Sequence, residues 1–386
     1  MRAFRVLAAV AATAAVTGCG GGRATFEPPA ELTRIEQTLE IERLWTARVG
    51  RGGEGLRLGL RPATDGVRVY AGSHDGRAAA LDAATGRTVW SVRTDLPLSA
   101  GPGYGQGVLA FGTSNGRLLL LDAETGEERW QVSVGAEVLA APAVGRGVIA
   151  VRTTDGRLRG FSTANGTELW TVTQTQPALI VRGDTPPIVA GTAVVAGFDN
   201  GRIGAYRLDS GDPIWELPIG SPAGRTELDR LVDIAGDMQV VGNDVYAVGY
   251  QGRVVAVDLN TGLVLWTQDS SSLAGLGVDQ SRVYVTTDVG YVVALARTNG
   301  AQQWSNEALR LRDVTAPTPF GSTVVVGDLE GYVHWLDIGD GRFVAREQAA
   351  SSRIVSAPII VGSSLVVQSE DGRIVAYSVA EEEDES

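Results

Sequence analysis

The side chains that most often perform catalysis or bind metals are few in this sequence. The chain has one cysteine, Cys19, and two histidines, His74 and His334, which lie far apart in sequence. It contains no HExxH pair for zinc. Since the one cysteine lies near the N-terminus, nucleophilic Cys–His catalysis is not expected, whereas a Ser–His–Asp site stays open on sequence grounds.

Aspartates that precede glycine recur along the chain, and their context indicates turns rather than acid–base chemistry. Asp75, Asp155 and Asp371 each precede a glycine at the same position of a repeated segment. Asp-Gly favours tight hairpin turns, in which glycine takes a positive φ. The segment GDGR at 339–342 resembles part of a calcium loop, but the remaining ligand spacing is absent. The sequence therefore predicts no catalytic residue, no metal site and no cofactor.

Composition favours a folded, strand-rich and acidic protein. Hydrophobic residues make up 44% of the 386 residues, which is enough for a large core, and the 50 glycines indicate many turns. The formal net charge of −12 argues against binding to nucleic acid, which requires basic residues on phosphates.

Residues 1–18 have the features of a bacterial signal peptide. Arg2 and Arg5 precede an apolar run from Val6 to Val16, shorter than the roughly 18 residues that cross a bilayer as a helix. The small residues that follow lead to Cys19 and resemble a lipobox, in which the thiol is lipidated and cleavage leaves the cysteine first. The alternative is an ordinary signal peptide followed by a chance cysteine.

Lipidation at Cys19 would anchor the protein to a membrane, since two or more acyl chains give stable attachment. Gly20 follows the cysteine, and by resemblance to enterobacterial lipoproteins this predicts the periplasmic side of the outer membrane. Residues 19–39 begin with GGGRATFEPPAE after the cysteine, and they are predicted to be a flexible tether.

Eight copies of one segment occupy residues 40–380. HDGRAAALDAATGRTVW (74–90) and YQGRVVAVDLNTGLVLW (250–266) show its form, which is turn, strand, turn and a strand with Trp. Two further apolar runs precede each copy, so that a unit has four strands over roughly 40 residues. The pattern predicts an all-β protein, an eight-bladed β-propeller of four-stranded antiparallel blades.

The two ends of the repeat predict how the ring closes. The eighth copy (370–380) stops before its Trp strand, and residues 40–50, EIERLWTARVG, supply such a strand at the N-terminus. We expect this segment to complete the last blade as its outer strand, because an open ring would leave two exposed edges. In the seventh copy Ala345 replaces the Trp, and Trp335 is predicted to fill the space. Residues 381–386 are predicted to be a solvated acidic tail.

Two consecutive connections are longer than the others. The spacing from the Trp of one copy to the first Gly of the next is 26 residues for Trp90–Gly116. It is 31 residues for Trp170–Gly201 and 37 for Trp215–Gly252. Both leave an outer strand for the next inner strand, so both should lie on one face and form a joint patch. Long loops on a rigid repeat scaffold commonly bind a partner, although neutral loop variation is the alternative.

The repeated segment resembles the blade motif of pyrroloquinoline-quinone dehydrogenases. That resemblance implies the same architecture and leaves a periplasmic quinoprotein enzyme as one alternative function. The vicinal disulfide of many such enzymes cannot form with one cysteine. A propeller that binds a glycan or peptide in its central funnel is a further alternative.

The lipobox, the eight repeats and two loop segments together resemble the BamB family. The segments are LIVRGDTPP (179–187) and TELDRLVD (226–233). This family is the lipoprotein subunit of the outer-membrane β-barrel assembly machinery (the BAM complex). The resemblance therefore implies a non-catalytic scaffold that assists outer-membrane proteins to fold and insert.

In that family the two loops bind the periplasmic POTRA region of the barrel subunit BamA. When the contact positions of the family are placed on the matching motifs of this chain, the resemblance implies partner contacts by Leu179, Val181, Arg182 and Asp233. Ala235 stands where the motif has a second acidic residue. Direct binding of nascent outer-membrane proteins, by strand addition to an exposed edge, is a further expectation.

Overall fold

Short apolar segments between glycine-containing turns form antiparallel strands in the computed structural model. The structure describes residues 27–181, 183, 185–220, 225–226 and 231–380, and within these it has 33 strands and no α-helix. No helix in these ranges could therefore cross a membrane. The strands form eight sheets around a central channel, which confirms the predicted eight-bladed β-propeller.

Seven blades are continuous in sequence, and each runs from an inner strand beside the channel to an outer strand at the rim. From inside to outside, their strands are β3 (Ala63–Thr64), β4 (Arg68–Gly72), β5 (Arg77–Asp82) and β6 (Thr88–Arg93) in blade 1; β7 (Leu98–Gly105), β8 (Val108–Thr113), β9 (Arg117–Asp122) and β10 (Glu128–Ser133) in blade 2; β11 (Ala143–Gly145), β12 (Val148–Thr153), β13 (Arg157–Ser162) and β14 (Glu168–Thr173) in blade 3; β15 (Ile188–Ala190), β16 (Ala193–Gly197), β17 (Arg202–Arg207) and β18 (Pro213–Pro218) in blade 4; β19 (Gln239–Val241), β20 (Asp244–Val248), β21 (Arg253–Asp258) and β22 (Val264–Asp269) in blade 5; β23 (Gly275–Val278), β24 (Arg282–Thr286), β25 (Val292–Ala296) and β26 (Gln302–Asn306) in blade 6; and β27 (Thr318–Phe320), β28 (Thr323–Gly327), β29 (Tyr332–Asp337) and β30 (Phe343–Gln348) in blade 7.

Blade 8 joins the two ends of the chain. Its inner three strands are β31 (Ile359–Val361), β32 (Ser364–Gln368) and β33 (Arg373–Val379), and its outer strand is β1 (Ile41–Arg48). The pairing of β1 with β33 is antiparallel and places Trp45 opposite Ala376. The predicted closure of the ring by the N-terminal strand is thereby confirmed.

The outer-strand tryptophans join neighbouring blades. Each one lies opposite a residue of the third strand that is small in most blades, such as Ala256 opposite Trp266. Each also packs on the turn glycine of the next blade and donates its indole N–H to a backbone carbonyl there. Trp215 shows this: its N–H bonds to Leu259 O at 2.7 Å, and its ring leaves no space for a Cβ on Gly262. The same donation is made by Trp45, Trp90, Trp130, Trp170, Trp266 and Trp304.

Blade 7 inverts this arrangement. Trp335 lies on the third strand, opposite Ala345 on the outer strand, and its side chain is fully buried against Tyr377 of blade 8. The prediction that Trp335 fills the space left by Ala345 is confirmed. The inversion occurs next to blade 8, whose outer strand is β1, so within the described residues no turn joins β33 to its outer strand and offers a glycine on which a Trp at 345 could pack.

The first glycine of the repeat takes a positive φ in seven of the eight copies. In the fifth copy Gln251 takes it instead, with φ 48°, and Gly252 does not. Gln251 lies at the exposed tip of the turn. The turn therefore forms with the strained residue moved by one position.

The chain between β1 and blade 1 crosses into the channel, which sequence reasoning did not anticipate. β2 (Gly59–Leu60) pairs in parallel with β7 and gives blade 2 a fifth, innermost strand. Arg61 then reaches Asp237, ahead of blade 5, with two N–O distances of 2.9 and 3.2 Å. Arg57 lies 3.1 Å from Asp313. The segment is thus held by ion pairs to the connections that precede blades 5 and 7.

The predicted flexible tether over residues 19–39 is wrong for residues 27–39. Thr38 N and Leu39 N donate to Val344 O at 2.9 and 3.1 Å, and Leu32 and Leu39 pack against apolar clusters of the blades. These contacts give residues 27–40 a fixed path along blade 7; we call this segment the strap. Residues 1–26, which include the predicted signal peptide and Cys19, and the predicted tail 381–386 lie outside the described residues.

Candidate protein-binding site

The two long connections meet on one face of the ring, which we call the loop face. This face carries every connection from an outer strand to the next inner strand. Val181 N lies 3.3 Å from Asp233 Oδ2, and the Thr185 hydroxyl donates to Ile234 O. A Cβ on Gly183 would come within 2.6 Å of the Ala235 Cα. The predicted joint patch is therefore confirmed for the described parts of both connections.

The first connection presents an apolar surface. Leu179 is 43% exposed, while Ile180 and Val181 are half-buried. Arg182, for which the resemblance implies a partner contact, lies outside the described residues. So do Asp184 and the segments 221–224 and 227–230 of the connections. Among the described residues, Leu179 is the large apolar side chain most open to a partner in the first connection.

Asp233 is not on the surface. Its side chain is fully buried, and the residue forms an isolated bridge with Tyr250, two residues after β20 of blade 5. The expectation that Asp233 contacts a partner directly is therefore corrected: a buried carboxylate can only support the loops. Its acceptance of the Val181 N–H fixes the first connection from below. Ala235 is likewise buried, beneath Gly183.

Two further buried residues lie beneath the first connection. The Arg152 guanidinium of β12 forms an ion pair with the Asp199 carboxylate, and both side chains are about 95% buried. Arg152 Nη1 also reaches Gly183 O at 3.5 Å, and Gln176 Nε2 reaches Asp199 Oδ2 at 3.4 Å. The sequence carries one signal for this pair, since Arg152 interrupts the apolar strand GVIAVRT.

The two histidines do not share a site. His74 Nδ1 lies 3.0 Å from Leu98 O in the neighbourhood of blades 1 and 2. His334 is buried in blade 7, where Nε2 lies 3.0 Å from Asp328 Oδ2 and Arg346 Nε donates to Nδ1. Within the described ranges, no three His, Cys, Asp or Glu side chains converge where a metal could bind.

A cavity of about 470 Å³ opens on the loop face at the mouth of the channel. Val181, Gly183 and Ala235 of the patch form part of its wall, and Arg61 and Asp237 form another part. The ion pair between these last two spans the cavity wall from the β2 segment to the second connection. The patch and the channel mouth are therefore one continuous surface.

Comparison with known proteins identifies the family. A family model described as "Outer membrane protein assembly factor BamB" matches residues 34–97, 74–306 and 290–383. The chain belongs to the BamB family. The outer membrane protein assembly factor BamB of Pseudomonas aeruginosa is 49% identical over 96% of this chain and 98% of its own length. The protein of the same name from Alkalilimnicola ehrlichii is 46% identical over 98% of both chains.

Solved structures agree with this assignment. The crystal structure of BamB from Moraxella catarrhalis superposes with a TM-score of 0.80 at 28% identity, and it covers 88% of this chain and all of that one. A quinohemoprotein alcohol dehydrogenase from Comamonas testosteroni gives a TM-score of 0.69 at 13% identity, over 90% of this chain and 79% of the enzyme. The dehydrogenase likeness shows a shared propeller fold, whereas the BamB likeness extends to sequence.

The buried carboxylate of this BamB-family patch titrates abnormally. Burial raises the pKa of Asp233 from 3.8 to about 6, and the nearby Asp199 charge adds to the rise. Arg152 and the Val181 N–H oppose it without cancelling it. Among the described residues, Asp233 Oδ1 has no hydrogen-bond partner. Because the folded protein holds this proton more tightly than the unfolded chain, the associated stability is complete below pH 3.8 and lost as pH rises through about 6.

Asp233→Asn is expected to stabilise the protein at pH 8. Asparagine keeps the shape and an oxygen for the Val181 N–H but carries no charge to bury. A shift of two pKa units corresponds to about 3 kcal/mol, which is the upper limit of the gain. Urea denaturation at pH 8 and at pH 4 measures it, and the gain should vanish at the lower pH. Asp209→Asn, at an exposed ion pair with Arg207, is the control and should show no gain at pH 8. Equal stability of Asp233→Asn and wild type at pH 8 would contradict the assignment.

Proposed function

We propose that this protein is a non-catalytic scaffold of the outer-membrane β-barrel assembly machinery. It binds the periplasmic POTRA region of BamA through the patch on the loop face and so assists the insertion of outer-membrane β-barrel proteins. The observation that carries this proposal is the meeting of two long connections, 174–187 and 219–238, around exposed Leu179. Regular blades supply a rigid support for them.

The patch residues have separate roles in this proposal. Leu179 and the half-buried Val181 supply apolar contact area, and Arg182 supplies a planar fork for carboxylates or carbonyls of the partner. Asp233 positions Val181 rather than touching the partner. This division suits the burial of each described side chain, because only an exposed group can lose surface on binding.

The anchoring of the scaffold is part of the same proposal. Lipidation of Cys19 attaches the protein to the periplasmic side of the outer membrane, where a membrane-embedded partner presents its periplasmic region. Attachment to one surface raises the effective concentration of each partner for the other. A quinoprotein enzyme is the less favoured function, since the segment around Arg61 enters the channel mouth of this chain.

Leu179→Asp is expected to weaken binding to the POTRA region at least tenfold. A buried charge replaces an apolar contact, and about 1.4 kcal/mol already gives that factor. The soluble fragment, residues 20–386, would be titrated with the periplasmic region of BamA from the same organism. Circular dichroism would verify that each variant folds.

Leu169→Asp provides the matched control for this experiment. Leu169 lies ten residues earlier, on the outer strand β14, and is 47% exposed, so it resembles Leu179 in type and exposure but lies outside the patch. It should bind as wild type does. Equal weakening by both substitutions would remove the patch from the proposal, and absence of binding by wild type would refute the BamA contact itself.

A further inference from the structure

The strap, residues 27–40, is attached to blade 7 along its whole length. At its start, Ala30 N donates to Arg310 O at 2.9 Å, and the Glu27 carboxylate pairs with the Arg310 guanidinium. At its end, Ala380 N donates to Glu40 O at 3.0 Å as the strap enters β1. Between these points it runs antiparallel to β30, since later strap residues contact earlier residues of that strand.

Two arginines, the buried Arg312 and the half-buried Arg346, hold the strap in place. Arg312 Nη1 donates to Ala30 O at 2.9 Å, and Arg346 Nη1 donates to Thr33 O at 2.8 Å. Both guanidinium groups are fixed from behind, Arg312 by Asp328 and Arg346 by His334. Charge-assisted hydrogen bonds from immobilised donors are stronger than ordinary surface contacts. The strap is therefore a fixed part of the propeller.

The strap begins on the loop face. Arg310 and Arg312 lie in the connection from blade 6 to blade 7, which belongs to that face. The same connection supplies Leu311 and Asp313 to the wall of the cavity that Val181 also lines. The chain thus reaches the propeller at the face that carries the proposed binding patch, across the ring from it.

The distance from the lipid to this face is limited by covalent geometry. Glu27 is eight residue-to-residue steps from Cys19, and a fully extended chain spans at most about 3.6 Å per step, or roughly 29 Å here. Without the strap, the first fixed point would be Ile41, and the limit would be roughly 79 Å. The strap therefore shortens the tether by more than half.

We infer that the strap orients the propeller on the membrane, with the loop face nearer to the bilayer than the opposite face. The inference rests on the proposed lipidation of Cys19 and goes beyond it, because an anchor alone sets no orientation. A six-residue strand spans about 20 Å, so the two faces of the propeller are separated by about that distance along the channel axis. The orientation keeps the patch on the side from which a membrane-embedded partner extends.

Fluorescence energy transfer from the protein to labelled lipid headgroups tests this orientation. The lipidated full-length protein would be placed in vesicles of phosphatidylethanolamine and phosphatidylglycerol. Ala178→Cys puts a donor on the loop face, and Ala164→Cys puts one on the opposite face of the same part of the ring. Both alanines are exposed, and Cys19 does not compete for the label because lipidation consumes its thiol.

Higher transfer from position 178 than from position 164 is the expected result. Inserting twelve Gly and Ser residues between Phe26 and Glu27 leaves every strap contact intact but lengthens the tether, so the difference should be lost. Equal transfer in the uninserted protein, or higher transfer from 164, would overturn the inference while leaving BamA binding untouched. Failure of the protein to associate with vesicles would overturn it together with the proposed anchor.

Discussion

Arg152→Met is expected to lower the free energy of unfolding by about 3–5 kcal/mol, as the removal of one member of a buried ion pair commonly does. Methionine fills much of the volume of the arginine but leaves Asp199 in the interior without its guanidinium partner. Asp233, which is already costly to ionise, also loses its attraction to the positive charge of Arg152. Urea denaturation at pH 7.5 measures the change.

Arg157→Met is the matched control for Arg152→Met. Arg157 begins the neighbouring strand β13 and lies 3.0 Å from Asp155, but both side chains are at least 30% exposed. Solvent-exposed ion pairs contribute only about 0–1 kcal/mol. Equal destabilisation by the two substitutions would show that burial of the Arg152 pair is not what makes it important.

The double variant Arg152→Met with Asp199→Leu separates the cost of an orphaned charge from the loss of packing. With both charges gone, the desolvation penalty disappears, and much of the stability should return. BamA binding should recover less, because Arg152 Nη1 also reaches Gly183 O, and Gln176 would lose Asp199. A double variant as unstable as Arg152→Met would mean that the pair stabilises by shape alone.

The propeller was predictable because the same sequence pattern recurs in every blade. A glycine turn, an alternating strand and a Trp strand recur at nearly constant spacing, and each copy needs only its neighbours to bury its apolar face. Closure of the ring was predictable because the last copy of the repeat lacks its Trp strand, while residues 40–50 supply such a strand ahead of the first copy. The position of the patch followed from two long spacings, because propeller topology puts all such connections on one face.

The strap, the β2 segment and the buried state of Asp233 were not predictable in the same way. The strap and the β2 segment occur once each and have no periodic pattern, so local sequence does not distinguish a docked segment from a free one. For the strap the decisive partners, Arg312 and Arg346, lie 282 and 313 residues away from the strap residues that they contact. Asp233 carries a charge in a loop, which normally indicates exposure, and only the packing of the second connection under the first buries it.

Trp335→Ala is expected to cost about 3–5 kcal/mol, the usual range for truncating a buried aromatic residue. Trp335 is fully buried, packs edge-on against Tyr377 and belongs to the cluster that joins blade 7 to the closing blade. Opposite it, Ala345 is too small to fill the resulting cavity. Equilibrium urea denaturation would give the loss, and near-ultraviolet circular dichroism would report the packing of the remaining aromatic residues.

Exchanging the pair, Trp335→Ala with Ala345→Trp, tests why this blade is inverted. The exchange restores the arrangement of the other blades, so a purely local preference would make the double variant as stable as wild type. We expect it to remain close to the single variant, because the outer-strand tryptophans need a turn glycine on the next blade, as Trp304 has in Gly341. In blade 8 the outer strand is β1, from the other end of the propeller, so within the described residues no turn glycine follows β33 there. The exception in the repeat is thus a consequence of closing the ring with the N-terminal strand, and full recovery by the exchanged pair would disprove that explanation.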